Sequence, residues 1–283
     1  MHGIIIQKRL LEQNIIPQEA VPEFERLGMI VSIIDLDMFD ELIGHIDSNV
    51  QFWTSISTIK MQRFISKFLS KNTAHHLPLF CSELHYYSKY IHQVPPKFRL
   101  NNNGLMLPLA EIKNICFDHL SKYLGSYQCH IRPDNALKIA EAQVISINTE
   151  SIDNFINDTL QFSSASETSI FWIFPRKDIV AEYRLAIRNN KAIASSAYPH
   201  DILKPDDIEK TVPDDVISFG NMVARTINIS DEIYVMDIAR DTKGQLYFLE
   251  LNCMSTSGWY KMNVQTLCSN ISDELLKAIG NYF

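Results

Sequence analysis

The chain has 283 residues, enough for one large domain or two smaller ones, and at 46% hydrophobic and 21% charged it is globular in composition, not disordered. A net charge of -7 at pH 7 lacks the basic excess of nucleic-acid binders, and nucleic acid is set aside as a partner. Five cysteines, odd in number and without close paired spacing, argue against a disulfide framework or a zinc site; with no signal peptide and no bilayer-length apolar run, a cytoplasmic protein without a membrane partner is expected.

From Met1 to about Asn101, strand and helix alternate. Gly3 to Gln7 reads as a strand, Pro22 to Leu27 as a helix ending at Gly28, and Met29 to Leu36 as a continuous apolar strand of the kind found inside a parallel sheet. Ser57 to Leu69 carries Ile59, Met61, Phe64, Ile65, Phe68 and Leu69 at helical spacing, the stripe of a core-facing helix. A further helix is expected from Ser82 to Ile91, closed by Pro95 and Pro96. His75, His76, His85 and His92 invite a metal, but no carboxylate follows at ligand spacing, and solvated loop histidines are the simpler reading. Asn101 to Gly104 is a polar turn cluster and the best candidate domain boundary.

Leu109 to Leu124 reads as a helix, and Tyr127, Cys129 and Ile131 alternate in a strand that ends at Pro133. Arg132 and Lys138 bracket the turn that follows: a planar fork and a point charge suited to phosphate, or a pair of solvated cations beside Asp134. After a link at Ser163 to Ser166, Ile170 to Phe174 is a fully apolar strand ended by Pro175. Glu182 to Tyr198 is a hairpin turning at Asn189 and Asn190, with Glu182, Arg184, Ala186 and Arg188 on one face. Those guanidinium groups could neutralise phosphoryl oxygens, or could salt-bridge Glu182 on a wet sheet surface.

An acidic, Pro-punctuated loop spans Asp201 to Asp215, and a helix runs from Val216 to Thr226. A second hairpin follows from Tyr234, turning at Asp241 to Gly244. Strict alternation places Leu246, Phe248, Glu250 and Asn252 on one face and Tyr247, Leu249 and Leu251 on the other; an even loop pairs Arg240 with Gln245 and sets Asp237 opposite Phe248. Asp237, Glu250 and Asn252 then converge as hard oxygen ligands suited to magnesium, unless Lys or Arg from a neighbouring element pairs with the carboxylates. Ser272 to Tyr282 reads as a closing helix capped by Ser272.

The order Asp237, Gly244, Leu249-Glu250-Leu251-Asn252, Ser255-Thr256-Ser257-Gly258 and Tyr260 resembles the metal-binding end of ATP-grasp enzymes. The trailing segment most resembles the divergent clade that includes the eukaryotic cell-division-cycle 123 protein and bacterial and phage relatives. Arg132-Pro133-Asp134 with Lys138, and Glu182-Tyr183-Arg184 followed by a turn and Ser195-x-x-Tyr198, resemble that clade's two other signatures.

The resemblance implies an α/β (α+β) chain: an ATP-grasp fold of two subdomains, 101–168 and 169–283, with nucleotide between them, preceded by a smaller α/β domain over 1–100. It implies ATP and magnesium as cofactors, the metal held by Asp237, Glu250 and Asn252. Lys138 would contact the α- or β-phosphate with Arg132 in support, and Trp172, Ile173 and Phe174 would lead into the adenine hinge. Arg184 would meet the phosphoryl or acyl-phosphate group, with Glu182 and Arg188 beside it. Ala140, Glu141 and Ala142 depart from the aromatic, Thr and Gly that relatives carry after the Lys. The activity implied is an ADP-forming carboxylate-amine ligase acting through an acyl phosphate on an amino acid, peptide or protein. The alternative is an ATP-binding assembly factor for a partner protein. The chain has no Gly-x-Ser-x-Gly, dinucleotide loop or Walker loop, in keeping with either.

Overall fold

The computed structural model describes residues 1–35, 46–71, 74–77, 85–135, 139–198, 211–229 and 232–281. Among the described residues, three four-stranded sheets organise the chain. The first is wholly parallel, in the order β2-β1-β3-β4, from β1 (His2–Gln7), β2 (Ile30–Ile34), β3 (Phe52–Ile56) and β4 (His75–His76). Alternation along β1 sends Ile4 and Ile6 to one face, against Leu10 of α1 (Lys8–Glu12) and Phe24 of α2 (Ala20–Arg26). It sends Ile5 to the other, against Met61, Ile65 and Leu69 of α3 (Ile59–Lys71). β2 is an edge strand with Ile33 42% exposed, not the interior strand its apolar run implies. His76 lies between the hydroxyls of Ser55 (2.9 Å) and Ser66 (2.5 Å), and burial lowers it to about 4, so it is a neutral packed histidine, not a solvated one.

The second sheet is antiparallel in the order β5-β8-β6-β7, from β5 (Leu105–Pro108), β6 (Gln128–Pro133), β7 (Gln143–Ser146) and β8 (Ile170–Pro175). β8 therefore pairs inside this sheet, whereas the sequence division at 168 assigns it to the following subdomain. One face is covered by α5 (Phe117–Leu124) and α6 (Thr149–Phe162). The single helix expected over 109–124 is two pieces, because extended backbone at Ile115 and Cys116 separates a 3₁₀ segment from α5.

The third sheet is antiparallel in the order β10-β9-β11-β12, from β9 (Ile179–Arg188), β10 (Lys191–Ala197), β11 (Ile233–Asp241) and β12 (Leu246–Cys253). Asn189 and Asn190 take φ of 52° and 60° in the β9–β10 turn, the left-handed pair a tight hairpin needs. α7 (Asp214–Ala224) packs on Leu185 and Ile238; α8 (Val264–Gly280) packs on Ala186 and Val235 from the other side. α8 starts at its Asn263 cap, whose side chain accepts from the Thr266 amide, so Ser272 is a buried interior residue and not the cap. The same core joins α8 to Ile4, Ile6 and Phe24 of the first sheet and its helices.

The stretch before Asn101 does not belong to the first sheet. Tyr87 and Tyr90 of α4 (Tyr87–Tyr90), with Ile91 and Val94, enter the core of the third sheet, and Leu100 N–H donates to Phe248 O at 3.0 Å. Residues 82–84 of the expected Ser82 to Ile91 helix, and 201–210 of the acidic loop, lie outside the described residues. No helix among the described residues is long and apolar enough to cross a membrane.

Candidate nucleotide and metal site

A cavity of about 620 Å³ opens between the second and third sheets. Its position follows from one irregularity in β12. Asp237 pairs with Glu250 and Ile238 with Phe248, so Leu249 is an extra residue and the strand carries a bulge there. The register expected from strict alternation, Asp237 opposite Phe248 and Arg240 opposite Gln245, is corrected accordingly; Arg240 pairs with Leu246. The bulge reverses the phase of the side chains. Leu246, Phe248 and Leu251 all enter one core, while Glu250 and Asn252 line the cavity. Without it, Glu250 would share the face of Phe248 and meet apolar packing.

Arg184 pairs with Asp237 across β9 and β11, so Arg184, Asp237 and Glu250 form a row over three strands. Arg184 Nε and Nη2 donate to the two carboxylate oxygens of Asp237 at 2.9 and 2.8 Å, a bidentate pair with both residues buried. Asn252 Nδ2 donates to Asp237 Oδ2 at 2.9 Å and to Glu250 Oε1 at 2.8 Å. From the second sheet, Arg132 reaches across the cavity to Glu250 Oε2 at 2.5 Å. The three oxygen-bearing residues therefore converge, and two arginines meet their carboxylates.

The electrostatics are unbalanced at one point. Burial drives the Glu250 carboxyl upward, but Arg132, the Asn252 amide and Arg184 outweigh it and hold it below the usual range. Glu182, lining the same cavity, is pushed up to about 7 by burial and by the negative charges of Asp237 and Glu250, against the pull of Arg184. His130 falls to about 4 through burial and the nearby Arg132, and faces the cavity neutral.

Among the described residues no group of three or more His, Cys, Asp and Glu is arranged for a metal ion. The candidate is two carboxylates and an amide, hard oxygen donors of the kind magnesium takes when phosphates and water complete its shell. A half-turn of the Asn252 amide presents Oδ1 in place of Nδ2. Glu182, raised first by burial and then by the charges of Asp237 and Glu250, stands beside these donors, and a cation there would ease the second of those effects, so the residues fit such an ion.

The remaining predicted residues separate into three groups. Lys138 lies outside the described residues. Trp172, Ile173 and Phe174 do not line the cavity: Trp172 stacks on Phe174 at 5.4 Å and donates Nε1–H to Asp134 at 2.7 Å, and Ile173 and Phe174 are fully packed. Pro175, Lys177 and Ile179, the next residues along, form that wall. Arg188 is also away from the cavity, bonded to Glu274 (2.7 Å) and Asn270 (2.6 Å), and ties β9 to α8. Residues not singled out from sequence include His130 and Lys177 in the wall; Asp134, read from sequence beside two cations, is instead an anchor that accepts from Ser88 N–H (2.8 Å) and Oγ–H (2.6 Å).

A sequence family described as an ATP-grasp domain, family 3 of its clade, matches residues 135–271. No curated protein matches the sequence. In structure, the chain is similar to the D-cycloserine synthetase DcsG, with a TM-score of 0.65 at 10% identity over 97% of this chain and 100% of that one. It is similar to the D-alanine–D-alanine ligase of Bacillus anthracis complexed with ATP, with a TM-score of 0.63 at 13% identity over 98% and 97%. A RiPP-associated ATP-grasp ligase of Chryseobacterium gregarium, in complex with ADP and a leader and core peptide, gives 0.56 at 10% identity over 98% and 97%. Identities this low carry the fold and nothing finer.

Proposed function

We propose that this chain, which has the fold of ATP-grasp ligases and matches an ATP-grasp domain family over residues 135–271, binds Mg–ATP between its second and third sheets and works as an ADP-forming carboxylate-amine ligase. The observation that carries the reading is the continuous chain Arg132–Glu250–Asn252–Asp237–Arg184: Arg132, Glu250, Asn252 and Arg184 line the cavity, and Asp237, 2% exposed, is bonded to the last two. Asp237, Glu250 and Asn252 are the proposed holders of magnesium, which would supply neutralisation of phosphate charge when bound. Released from part of their carboxylate bonding, Arg184 meets the phosphoryl group in transfer and Arg132, with Lys138, the inner phosphates. Pro175, Lys177 and Ile179, beyond Trp172, Ile173 and Phe174, are the proposed adenine wall.

In the reaction proposed, a substrate carboxylate oxygen bonds to the γ-phosphorus as its bond to the β–γ bridging oxygen breaks, leaving ADP and an acyl phosphate. An amine nitrogen then bonds to the acyl carbon, phosphate departs, and the amine proton passes to solvent or a base. No covalent protein nucleophile is needed; positioning and charge neutralisation carry both steps. The carboxylate and amine are assigned to an amino acid, peptide or protein, in the cytoplasm, in line with the peptide bound by the Chryseobacterium ligase.

A second reading, ATP binding in an assembly factor without turnover, draws on Ala140, Glu141 and Ala142, which line the cavity where a glycine-bearing loop would approach phosphates. Calorimetry of ATP with and without magnesium, on the parent and on the Asp237→Asn, Glu250→Gln double variant, tests the shared premise. Loss of the magnesium-dependent affinity in the variant is expected; equal affinity in both would remove the metal role. Accumulation of ADP and phosphate with carboxylate and amine present separates ligase from assembly factor.

A further inference from the structure

Arg184 is 4% exposed at the cavity it lines, and one of the residues that holds it there is a strained tyrosine. Its guanidinium edge is fixed in the plane by Asp237, and Nη1 donates to Gly258 O at 3.3 Å. Two rings lie together on one side of it: Tyr198 at 4.9 Å and Tyr260 at 5.1 Å from the guanidinium carbon, standing 5.0 Å apart in a T-shaped pair. Tyr260 reaches that position with φ of 47°, a left-handed backbone that bulky side chains rarely adopt. Gly258 makes room, since a Cβ there would stand 3.0 Å from the Tyr260 ring.

The strain is held from both ends. Trp259, fully buried, packs in the core that joins α8 to the first sheet, and its backbone N–H donates to Ile15 O at 2.9 Å in the segment after α1. On the other side Lys261 N–H donates to Ser196 Oγ at 3.1 Å on β10. The anchored neighbours thus over-determine the Tyr260 conformation, as a persistent left-handed tyrosine requires. We infer that Tyr260 is a positioning residue: the first α/β unit, through Trp259 and Tyr260, aims the guanidinium of Arg184 toward the terminal phosphoryl group. This rests on the nucleotide reading above and adds to it the part of the chain that sets the arginine.

Two variants and two readouts test it. Tyr260→Phe keeps the ring, and Tyr260→Leu removes it while preserving bulk. With excess magnesium, the ratio of the Kd for ADP to the Kd for ATP measures contact with the terminal phosphoryl group. It is expected to fall about fivefold in Tyr260→Leu, the scale of one partly desolvated cation–π contact, and to stay within about twofold in Tyr260→Phe. Without nucleotide, the Arg184 Nε–H resonance is expected to remain slow to exchange in the parent and in Tyr260→Phe and to become fast in Tyr260→Leu. Equal ratios and equal exchange in all three proteins would overturn the positioning role while leaving Mg–ATP binding standing. Absence of Mg–ATP binding in the parent would overturn the nucleotide reading and this inference with it.

Discussion

Arg184 and Asp237 are 4% and 2% exposed and share two hydrogen bonds, so neither charge tolerates loss of the other. Arg184→Leu takes both guanidinium hydrogen bonds from the buried Asp237 carboxylate, and is expected to cost about 3–5 kcal/mol in urea unfolding. Glu182 behaves in the opposite sense. Its folded value near 7 lies above the unfolded 4.5, so the native state holds a proton the unfolded chain has lost, and stability falls as pH rises from about 4.5 through 7. Glu182→Gln is expected to remove that component, making melting temperature flatter over this window and higher than the parent's above it; an unchanged profile would contradict the raised carboxyl. The convergence of Asp237, Glu250 and Asn252 is the sequence expectation, but the register it assumes, Asp237 opposite Phe248, is replaced by one in which Asp237 pairs with Glu250. Their union with Arg132 and Arg184 was open, because sequence does not reveal which cations neighbouring elements deliver.

At the level of elements, most strands and hairpin turns followed from alternation and turn residues: β1, the Asn189–Asn190 turn and the strand ending at Pro133 lie where the pattern puts them. What alternation could not supply was the bulge at Leu249, for which no glycine or proline stands as a signal. Leu246, Phe248, Glu250 and Asn252 look in phase, yet only half of them share a face. Deleting Leu249 restores that false phase and turns Glu250 and Asn252 toward the apolar side. The deletion is expected to abolish cooperative unfolding in circular dichroism, whereas Leu249→Ala, trimming a side chain at the cavity wall, is expected to cost about 1 kcal/mol or less. A deletion variant as stable as the parent would show that β12 can re-register without the bulge.

Across the whole molecule, the polar cluster at Asn101 to Gly104 reads as a domain boundary, but the cores do not divide there. Tyr87 and Tyr90 belong to the third sheet's core, Leu251 N–H donates to the Tyr90 hydroxyl at 3.0 Å, and one apolar cluster runs from Ile4, Ile6 and Phe24 through Trp259 to Ile271 and Leu275 of α8. Such contacts join residues far apart in sequence, and a polar turn shows where the chain reverses, not whether the packing on its two sides is separate. Because the first sheet and α8 bury each other, losing one exposes an apolar face of the other, and the chain is expected to unfold as one unit. Its three tryptophans report on this directly: Trp53 lies in the first sheet, Trp172 in the second, and Trp259 in the loop that bridges the first and third. In variants retaining a single tryptophan, with phenylalanine at the other two positions, the fluorescence and far-ultraviolet transitions of each variant are expected to share one urea midpoint. Phe24→Ala, removing a fully buried ring from the shared cluster, is expected to cost about 3–5 kcal/mol and to shift the Trp53 and Trp172 midpoints together. A shift confined to Trp53 would mean that the parallel sheet folds as an independent domain, and that the strained Trp259–Tyr260 segment is held by the third sheet alone.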